Sequence, residues 1–445
     1  MQLITIYDYI LLPFYLALFY MIVLRRAKKY NNTDLKKFFI TAFFLRVIGS
    51  VLYSMVVAYY YGYGDSFIFY EGSSFLRKLI LENNDLFGTF STSGADLSAL
   101  ADKYDVGPYA RGTMVAQSNL IVMKISAILS FFSFNLYVII SLFLGFFSFI
   151  GTWKLFLVFN DIMKGKASRL LAYVVLYTPS IWFWGSGLIK ESICMGALGL
   201  TISIVYKAVA KRKFSLKDIF VLLLSFYLLY SIKNYIAGIL LASAAASLIG
   251  YYVMARSNFF SKLIASLTML IIGGAIFSLT VADYIDNVVE ESASFIEISK
   301  TAYVEGEHDQ SVGGFTAGDF DLSLQGLILR TPTAVFTTLF RPFLWEIKNV
   351  MMLFSALESF IMLVATLYLL VRLRFFRFFS TIFSNSYLIF CFVFAVLMGA
   401  VVGLTTFNFG TLVRYRLPLL PFYGFLLVYL YTNLLPREIP EEKPA

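Results

Sequence analysis

Asp65 is the charged residue of this 445-residue chain whose position best suits chemistry. It follows the segment Tyr61-Gly-Tyr-Gly64, directly after the second long apolar stretch. A carboxylate held behind glycines at a membrane boundary suits a general base that takes a proton from a hydroxyl group. The alternative is that Asp65 caps the helix that follows it, with Glu71 in the early turns of that helix. Glu71 itself could contact a substrate or have a structural role.

Lys190 and Glu191 form a second charged group, between two closely connected apolar stretches that meet near Pro179 to Gly187. Charged side chains at the end of a membrane span are costly and usually functional. Lys190 could therefore hold a phosphate while Glu191 orients a ligand. The alternative is that the two charges only neutralise each other.

Three further cations lie on the predicted outer side of the membrane, where topology does not require them. Arg414 and Arg416 precede a late apolar stretch, and Lys233 stands in a short turn between two others. Guanidinium groups match phosphate and pyrophosphate with paired hydrogen bonds. Together with Lys190, these residues predict a cradle for a lipid-linked phosphate at the outer leaflet.

Two further pairs of charged residues are weaker candidates for a functional site. Arg341 and Glu346 stand just before an apolar stretch, where they contribute to a substrate site or anchor a helix end at the interface. Asp319 and Asp321 lie in a glycine-rich acidic stretch and could bind a divalent cation, or simply face solvent. His308 is the only histidine, which argues against histidine-based metal centres and Ser-His-Asp triads.

The composition places these residues in a membrane protein. Hydrophobic residues make up 59% and charged residues 14%, with a mean hydropathy of +0.78, whereas soluble domains carry about 25% charged residues. The net charge of +9 does not predict a nucleic-acid partner, because the basic residues cluster at the ends of apolar stretches. Membrane lipids are the expected surroundings.

Apolar runs of about 20 residues each predict an all-α polytopic protein. We expect eleven spans, near 4–24, 38–60, 135–158, 169–187, 190–209, 217–232, 235–254, 262–281, 349–371, 382–404 and 415–433. The positive-inside rule places the basic clusters in the cytoplasm. The N-terminus is then outside and the C-terminus inside a bacterial inner membrane.

This topology predicts a single transmembrane domain over residues 1–445. Two long outer loops, 61–134 and 282–348, carry most of the acidic residues, and residues 435–445 form a cytoplasmic tail. The apolar segment 119–134 is short and contains Lys124. Counting it as a span would move Lys164 to Arg169 outside, so we expect an amphipathic helix along the outer interface.

The order of these features resembles the GT-C superfamily of integral-membrane glycosyltransferases. Gly64-Asp65-Ser-Phe-Ile-Phe-Tyr70 is similar to its acidic motif in the first outer loop. The sequence from Arg414 through Pro418 to Pro421 is similar to its arginine–proline element before a late span. Segments 184–191 and 341–346 are similar to uncharacterised membrane proteins of bacterial surface-polysaccharide loci.

The resemblance implies a GT-C-like fold and a mechanism. Asp65 would activate an acceptor hydroxyl, which attacks the sugar carbon of a polyprenyl-phosphate sugar. Arg414 and Arg416 would stabilise the leaving phosphate. The partner is then a lipid-linked sugar donor, and the acceptor a glycan, lipid or protein at the cell envelope.

The chain departs from the superfamily in an extra span before the acidic motif and in lacking a large C-terminal soluble domain. A polysaccharide polymerase or ligase that uses a lipid-pyrophosphate-linked oligosaccharide is the close alternative, because it also needs a phosphate cradle. A transporter or flippase is a different class, although transporters often contain inverted repeats, which we do not find in this sequence. A non-enzymatic scaffold of an envelope complex is the remaining alternative.

Overall fold

A computed structural model describes residues 3–31, 33–254, 324–406 and 408–434. Within these ranges the chain is helical apart from turns and short connections. The α-helices are, in chain order, α1 (Ile6–Ala27), α2 (Asp34–Met55), α3 (Asp65–Asn83), α4 (Leu86–Ser91), α5 (Gly94–Ala101), α6 (Pro108–Met114), α7 (Gln117–Phe132), α8 (Tyr137–Ile162), α9 (Ser168–Ala172), α10 (Pro179–Trp184), α11 (Lys190–Lys211), α12 (Leu216–Ile232), α13 (Asn234–Met254), α14 (Leu324–Phe340), α15 (Val350–Leu373), α16 (Phe375–Phe383), α17 (Ser386–Thr405), α18 (Phe409–Tyr415) and α19 (Leu420–Leu434).

The chain divides into two compact units, each with its own internal packing. Unit 1 comprises Met1–Val158 and Val175–Ala237, and unit 2 comprises Phe159–Val174 and Gly238–Ala445. Unit 1 therefore contains α1 to α7, most of α8, and α10 to α12. Unit 2 contains α9, most of α13, and α14 to α19.

Seven helices of the described ranges are long and apolar enough to cross a membrane: α1, α2, α8, α11, α13, α15 and α17. Each coincides with one of the eleven predicted spans. The protein is therefore a multi-pass helical membrane protein. An eighth span is present if α6 and α7, which meet at an angle of 107°, together cross the membrane.

The four other predicted spans have different outcomes. Segment 169–187 is broken into α9, a π-helical turn (Tyr173–Tyr177) and α10. Helices α12 and α19 have only 17 and 15 residues, and at about 1.5 Å per residue neither alone covers a hydrocarbon core of about 30 Å. Segment 262–281 lies outside the described residues, so a count of eleven stays a prediction.

Helices α8 and α11 approach each other closely in unit 1, because small residues line their contact. A Cβ added to Gly151 would lie 2.1 Å from the carbonyl oxygen of Gly196, and one added to Gly199 would lie 2.0 Å from that of Gly151. Small residues allow such backbone contact between membrane helices, where dispersion and hydrogen bonding replace the hydrophobic effect. This contact fixes the position of α11, the helix that begins with Lys190.

The loop between α2 and α8 folds into short helices that pack on α3. The spacing of Phe75, Leu76, Leu79 and Ile80 in the sequence predicts one apolar helix face, and α3 buries it, since all four side chains are less than a tenth exposed. Helix α7 packs along α3, as a helix with an apolar stripe must when a partner is available. The sequence also predicts a short helix from Asp96 to Tyr104, and it is present as α5 and the 3-10 turn that follows it.

Lys124 of α7, which made this segment doubtful as a span, has a partner inside the same loop. Its ammonium group donates a hydrogen bond of 2.7 Å to the carbonyl oxygen of Phe90, near the end of α4. The structure is compatible with a non-crossing α7 and with a re-entrant or broken span that includes α6. The interfacial placement of α7 therefore stays a prediction.

Unit 2 is built around α17, which packs against both α14 and α19. A Cβ added to Gly403 would lie 2.2 Å from the carbonyl oxygen of Ala334, so α14 and α17 also meet through small residues. Phe394 and Phe422 pack with their ring centroids 4.4 Å apart, between α17 and α19. These contacts form the core on which the arginines of unit 2 are placed.

Candidate active site

A glycine-rich turn places Asp65 at the start of α3. Helix α2 continues into a π-helical turn (Val56–Tyr61), which ends at Gly62 with φ 68°. Gly64 has φ 131° and is the N-cap residue of α3. Positive φ values favour glycine strongly, which explains both glycines of this motif. Asp65 is thus the first residue of the helix and not its N-cap, and it is exposed.

Lys190 is the first residue of α11 and lies near Asp65. Its ammonium group donates a hydrogen bond of 3.0 Å to the hydroxyl of Ser118, in the first turn of α7. It also interacts electrostatically with Asp65, Glu191 and Lys233. The structure therefore brings together Asp65, Lys190 and Lys233, which come from different parts of the sequence. Glu191, the neighbour of Lys190, lies with them.

Glu191 and Lys233 form a buried ion pair. The Lys233 ammonium group lies 2.9 Å from Glu191 Oε1, and the two side chains are 6% and 1% exposed. Both charges have lost most of their hydration, and the pairing offsets part of that cost for each. We call Asp65, Lys190, Glu191 and Lys233 the charge cluster of unit 1.

Glu71 lies in the second turn of α3 and connects it to α6. Its Oε1 accepts a hydrogen bond of 2.7 Å from the backbone N–H of Gly107, immediately before Pro108, the first residue of α6. Glu71 thereby fixes the start of α6 against α3. This contact supports the structural interpretation of Glu71, and a substrate contact stays a prediction.

The predicted cations of unit 2 have protein partners. Arg416 is completely buried. Its guanidinium donates hydrogen bonds of 2.8 Å to the carbonyl oxygen of Arg341 and to the hydroxyl of Ser359, and it lies 3.9 Å from Glu358. Arg416 thus joins α14, α15 and α18 in this structure. Arg414 is half-buried, and a phosphate contact for either arginine stays a prediction.

Arg341 and Glu346 form the pair that their spacing suggested. Arg341 Nε lies 3.1 Å from both carboxylate oxygens of Glu346, and Arg341 Nη2 also contacts Oε1. The guanidinium lies over the ring of Phe409, 5.1 Å from its centroid. The carboxylate also accepts a 2.8 Å hydrogen bond from the N–H of Phe343, so the pair closes the turn between α14 and α15.

The acidic pair suggested as a weak metal site, Asp319 and Asp321, lies outside the described residues. Within the described ranges, no group of three or more His, Cys, Asp or Glu residues could hold a metal ion. A divalent cation therefore stays an open prediction for this protein.

Sequence reasoning missed two polar residues that matter for the charge cluster. Ser118 contacts Lys190 only because α7 folds back on α3, and no local pattern signals that contact. Arg46 is almost completely buried in α2, where it donates a 2.8 Å hydrogen bond to the carbonyl oxygen of Gly185. A charge inside a predicted span is itself a functional signal, and it would have identified Arg46.

Comparisons of the chain with known protein families, with curated proteins and with solved structures found no match. The charge cluster and the motif resemblance are therefore the basis for a functional proposal.

Proposed function

We propose that this protein is an integral-membrane glycosyltransferase of the GT-C type that uses a polyprenyl-phosphate sugar at the outer face of the membrane. Asp65 takes the proton of an acceptor hydroxyl. The hydroxyl oxygen forms a bond to the anomeric carbon, and the carbon–oxygen bond to the phosphate breaks. The polyprenyl phosphate leaves with the electron pair of that bond.

The observation that carries the proposal is the charge cluster of unit 1. An exposed carboxylate suits proton transfer because an acceptor can reach it from solvent. Lys190, half-buried beside it, offers a cation whose interaction with a phosphate is less screened than at an open surface. The buried Glu191–Lys233 ion pair fixes the start of α11, the helix that carries Lys190.

Each residue of the cluster has a distinct role in this proposal. Asp65 is the base, and Lys190 binds the donor phosphate through its ammonium group. Glu191 holds Lys233 and so fixes the start of α11, instead of acting directly on the substrate. Phosphate binding by Arg414 or Arg416 is a separate proposal that rests on their chemistry and on the motif resemblance.

Transfer of a labelled sugar by the purified full-length chain in nanodiscs tests the proposal. One arm supplies a polyprenyl-monophosphate sugar, and the other a polyprenyl-pyrophosphate oligosaccharide, each with a mixture of envelope glycans, lipids and peptides as acceptors. We expect product only with the monophosphate donor. Product only with the pyrophosphate donor would support the polymerase or ligase alternative, and no product with either would contradict a transferase.

The affinity for polyprenyl phosphate, measured on single variants, tests each proposed phosphate-binding cation separately. Lys190→Ala should weaken binding by the equivalent of roughly 2–5 kcal/mol if it leaves the phosphate unpaired. Lys103→Ala, which removes an exposed cation of the same loop, is the control and should leave binding unchanged. Arg414→Ala tests the separate proposal that Arg414 of unit 2 binds the phosphate. Unchanged affinity in this variant would contradict that role.

A further inference from the structure

Tyr63 and Tyr109 form an exposed aromatic pair near Asp65. Their ring centroids lie 5.6 Å apart at an interplanar angle of 62°, and Tyr63 also contacts Phe67 at 5.1 Å. The two tyrosines are 41% and 69% exposed. The pair therefore presents two large ring surfaces to its surroundings, and Tyr63 lies two residues before the proposed base in the sequence.

Glu71 holds one ring of this pair in place. Its hydrogen bond to the N–H of Gly107 fixes the start of α6, and Tyr109 is the second residue of that helix. A Cβ added to Gly107 would lie 3.1 Å from Glu71 Oε1, so the contact is close. The position of Tyr109 is thus set by a carboxylate of α3, the helix that begins with Asp65.

The other ring is held by the glycine turn. Tyr63 stands between Gly62 and Gly64, whose φ values of 68° and 131° fix a sharp change of chain direction. Partial burial, and then the nearby Glu71 and Tyr109, raise the pKa of Tyr63. A tyrosine hydroxyl is protonated at neutral pH without any shift, so Tyr63 can donate a hydrogen bond.

This combination of groups fits a sugar ring better than a lipid. A pyranose has an apolar face of C–H groups, which packs on an aromatic ring, and a rim of hydroxyls, which bond to carboxylates and tyrosine hydroxyls. A lipid tail has no such rim of hydroxyls to bond to the Tyr63 hydroxyl and the nearby carboxylates. The chemistry therefore favours a carbohydrate.

We propose that Tyr63 and Tyr109 form an acceptor subsite that binds a pyranose ring of a glycan and presents its hydroxyl to Asp65. The inference rests on the proposed transferase function and narrows its acceptor to a glycan. Tyr63, Tyr109 and Glu71 would then determine acceptor choice, and Asp65 would perform the proton transfer.

Binding of oligosaccharides to the full-length chain in nanodiscs tests this subsite without requiring transfer. A defined array of bacterial surface oligosaccharides is the probe, and the best binder is then titrated. Tyr109→Ala should weaken binding about tenfold, the order of loss expected when a stacking ring is removed. Tyr63→Phe keeps the ring and should retain most of the affinity.

Tyr60→Ala is the matched control, because Tyr60 is 65% exposed and its ring packs on Tyr61 instead. Wild-type affinity in this variant, together with the loss in Tyr109→Ala, would support the subsite. Equal losses in both variants, unchanged binding in Tyr109→Ala, or no binder on the array would overturn it.

Asp65→Asn separates this inference from the proposed function. It should bind the oligosaccharide with nearly wild-type affinity, because the ring surfaces and a side-chain oxygen at position 65 remain, but its transfer rate should fall by about 10²–10⁴-fold. Active Asp65→Asn protein would contradict the catalytic role and leave the subsite supported. Normal transfer with unchanged glycan binding in Tyr109→Ala would contradict only the subsite.

Discussion

Residues of the charge cluster differ in their exposure to water, and this difference matches the proposed division of roles. Asp65 is exposed and can exchange a proton with an acceptor. Glu191 and Lys233 are almost completely buried. An acceptor cannot reach them from solvent, so their charges fix the position of α11 and do not transfer protons. Lys190 is intermediate and bonded to Ser118, so it can bind an anion without losing a fixed position.

Replacing one member of the buried pair should be costly. Glu191→Gln removes the carboxylate that pairs with the buried Lys233, and losing one partner of a buried ion pair typically destabilises a protein by about 3–5 kcal/mol. The double variant Glu191→Leu/Lys233→Met removes both charges and should recover much of that loss. Melting temperatures in the same detergent compare the variants. A double variant no more stable than Glu191→Gln would show that the pair is not the reason for the loss.

At the scale of elements, one arginine connects three helices of unit 1. Arg46 of α2 donates hydrogen bonds to the carbonyl oxygen of Gly185 after α10, and to the hydroxyls of Ser148 and Thr152 of α8. A Cβ added to Gly49, one turn along α2, would lie 2.1 Å from the carbonyl oxygen of Trp182. The segment that leads into Lys190 is thus held by α2.

We expect Arg46→Met to destabilise unit 1 and reduce transfer. It leaves several buried acceptors without a donor, and each hydrogen bond to a charged group contributes about 1.5–3 kcal/mol. Arg26→Met, at the exposed end of α1, is the control and should behave like wild type. Melting temperature and transfer rate are the measurements. A stable, fully active Arg46→Met protein would contradict the positioning role.

The Arg341–Glu346 pair predicts a pH dependence in unit 2. Burial alone would raise the pKa of Glu346, but hydrogen bonds from Arg341 and from the N–H of Phe343 outweigh it and lower the pKa below its ordinary 4.5. The stabilisation is therefore complete above about pH 4.5 and is lost as the pH falls through the lowered value. Wild-type melting temperature should fall more steeply with acid than that of Glu346→Gln. Parallel curves would show that the pair does not contribute.

Sequence predicted the helices of this protein better than their contacts. The apolar face of α3 could be predicted because periodicity reports burial directly, and seven spans because length and hydropathy suffice. The break between α9 and α10 was missed, since the apolar run continues through Pro179. The burial of Arg416 was also missed, because its partners in α14 and α15 come together only through tertiary packing.

For the whole molecule, the predicted topology is tested by labelling single cysteines in intact cells. Cys194 and Cys391 are buried and would be replaced by alanine first. A cysteine at position 98 should react with an impermeant reagent from outside, and one at position 164 only after the membrane is opened. External labelling of position 164 would contradict the orientation, and with it the outer-face placement of the charge cluster.

The most direct test of the central claim is sugar transfer by Asp65→Asn protein. Asparagine keeps the shape of the side chain but cannot take a proton, so the rate should fall by about 10²–10⁴-fold. Asp105→Asn, which changes an exposed carboxylate of the same loop, should transfer sugar like wild type. Expression level and melting temperature should be equal in all three proteins. Transfer at the wild-type rate by a folded Asp65→Asn protein would contradict the account.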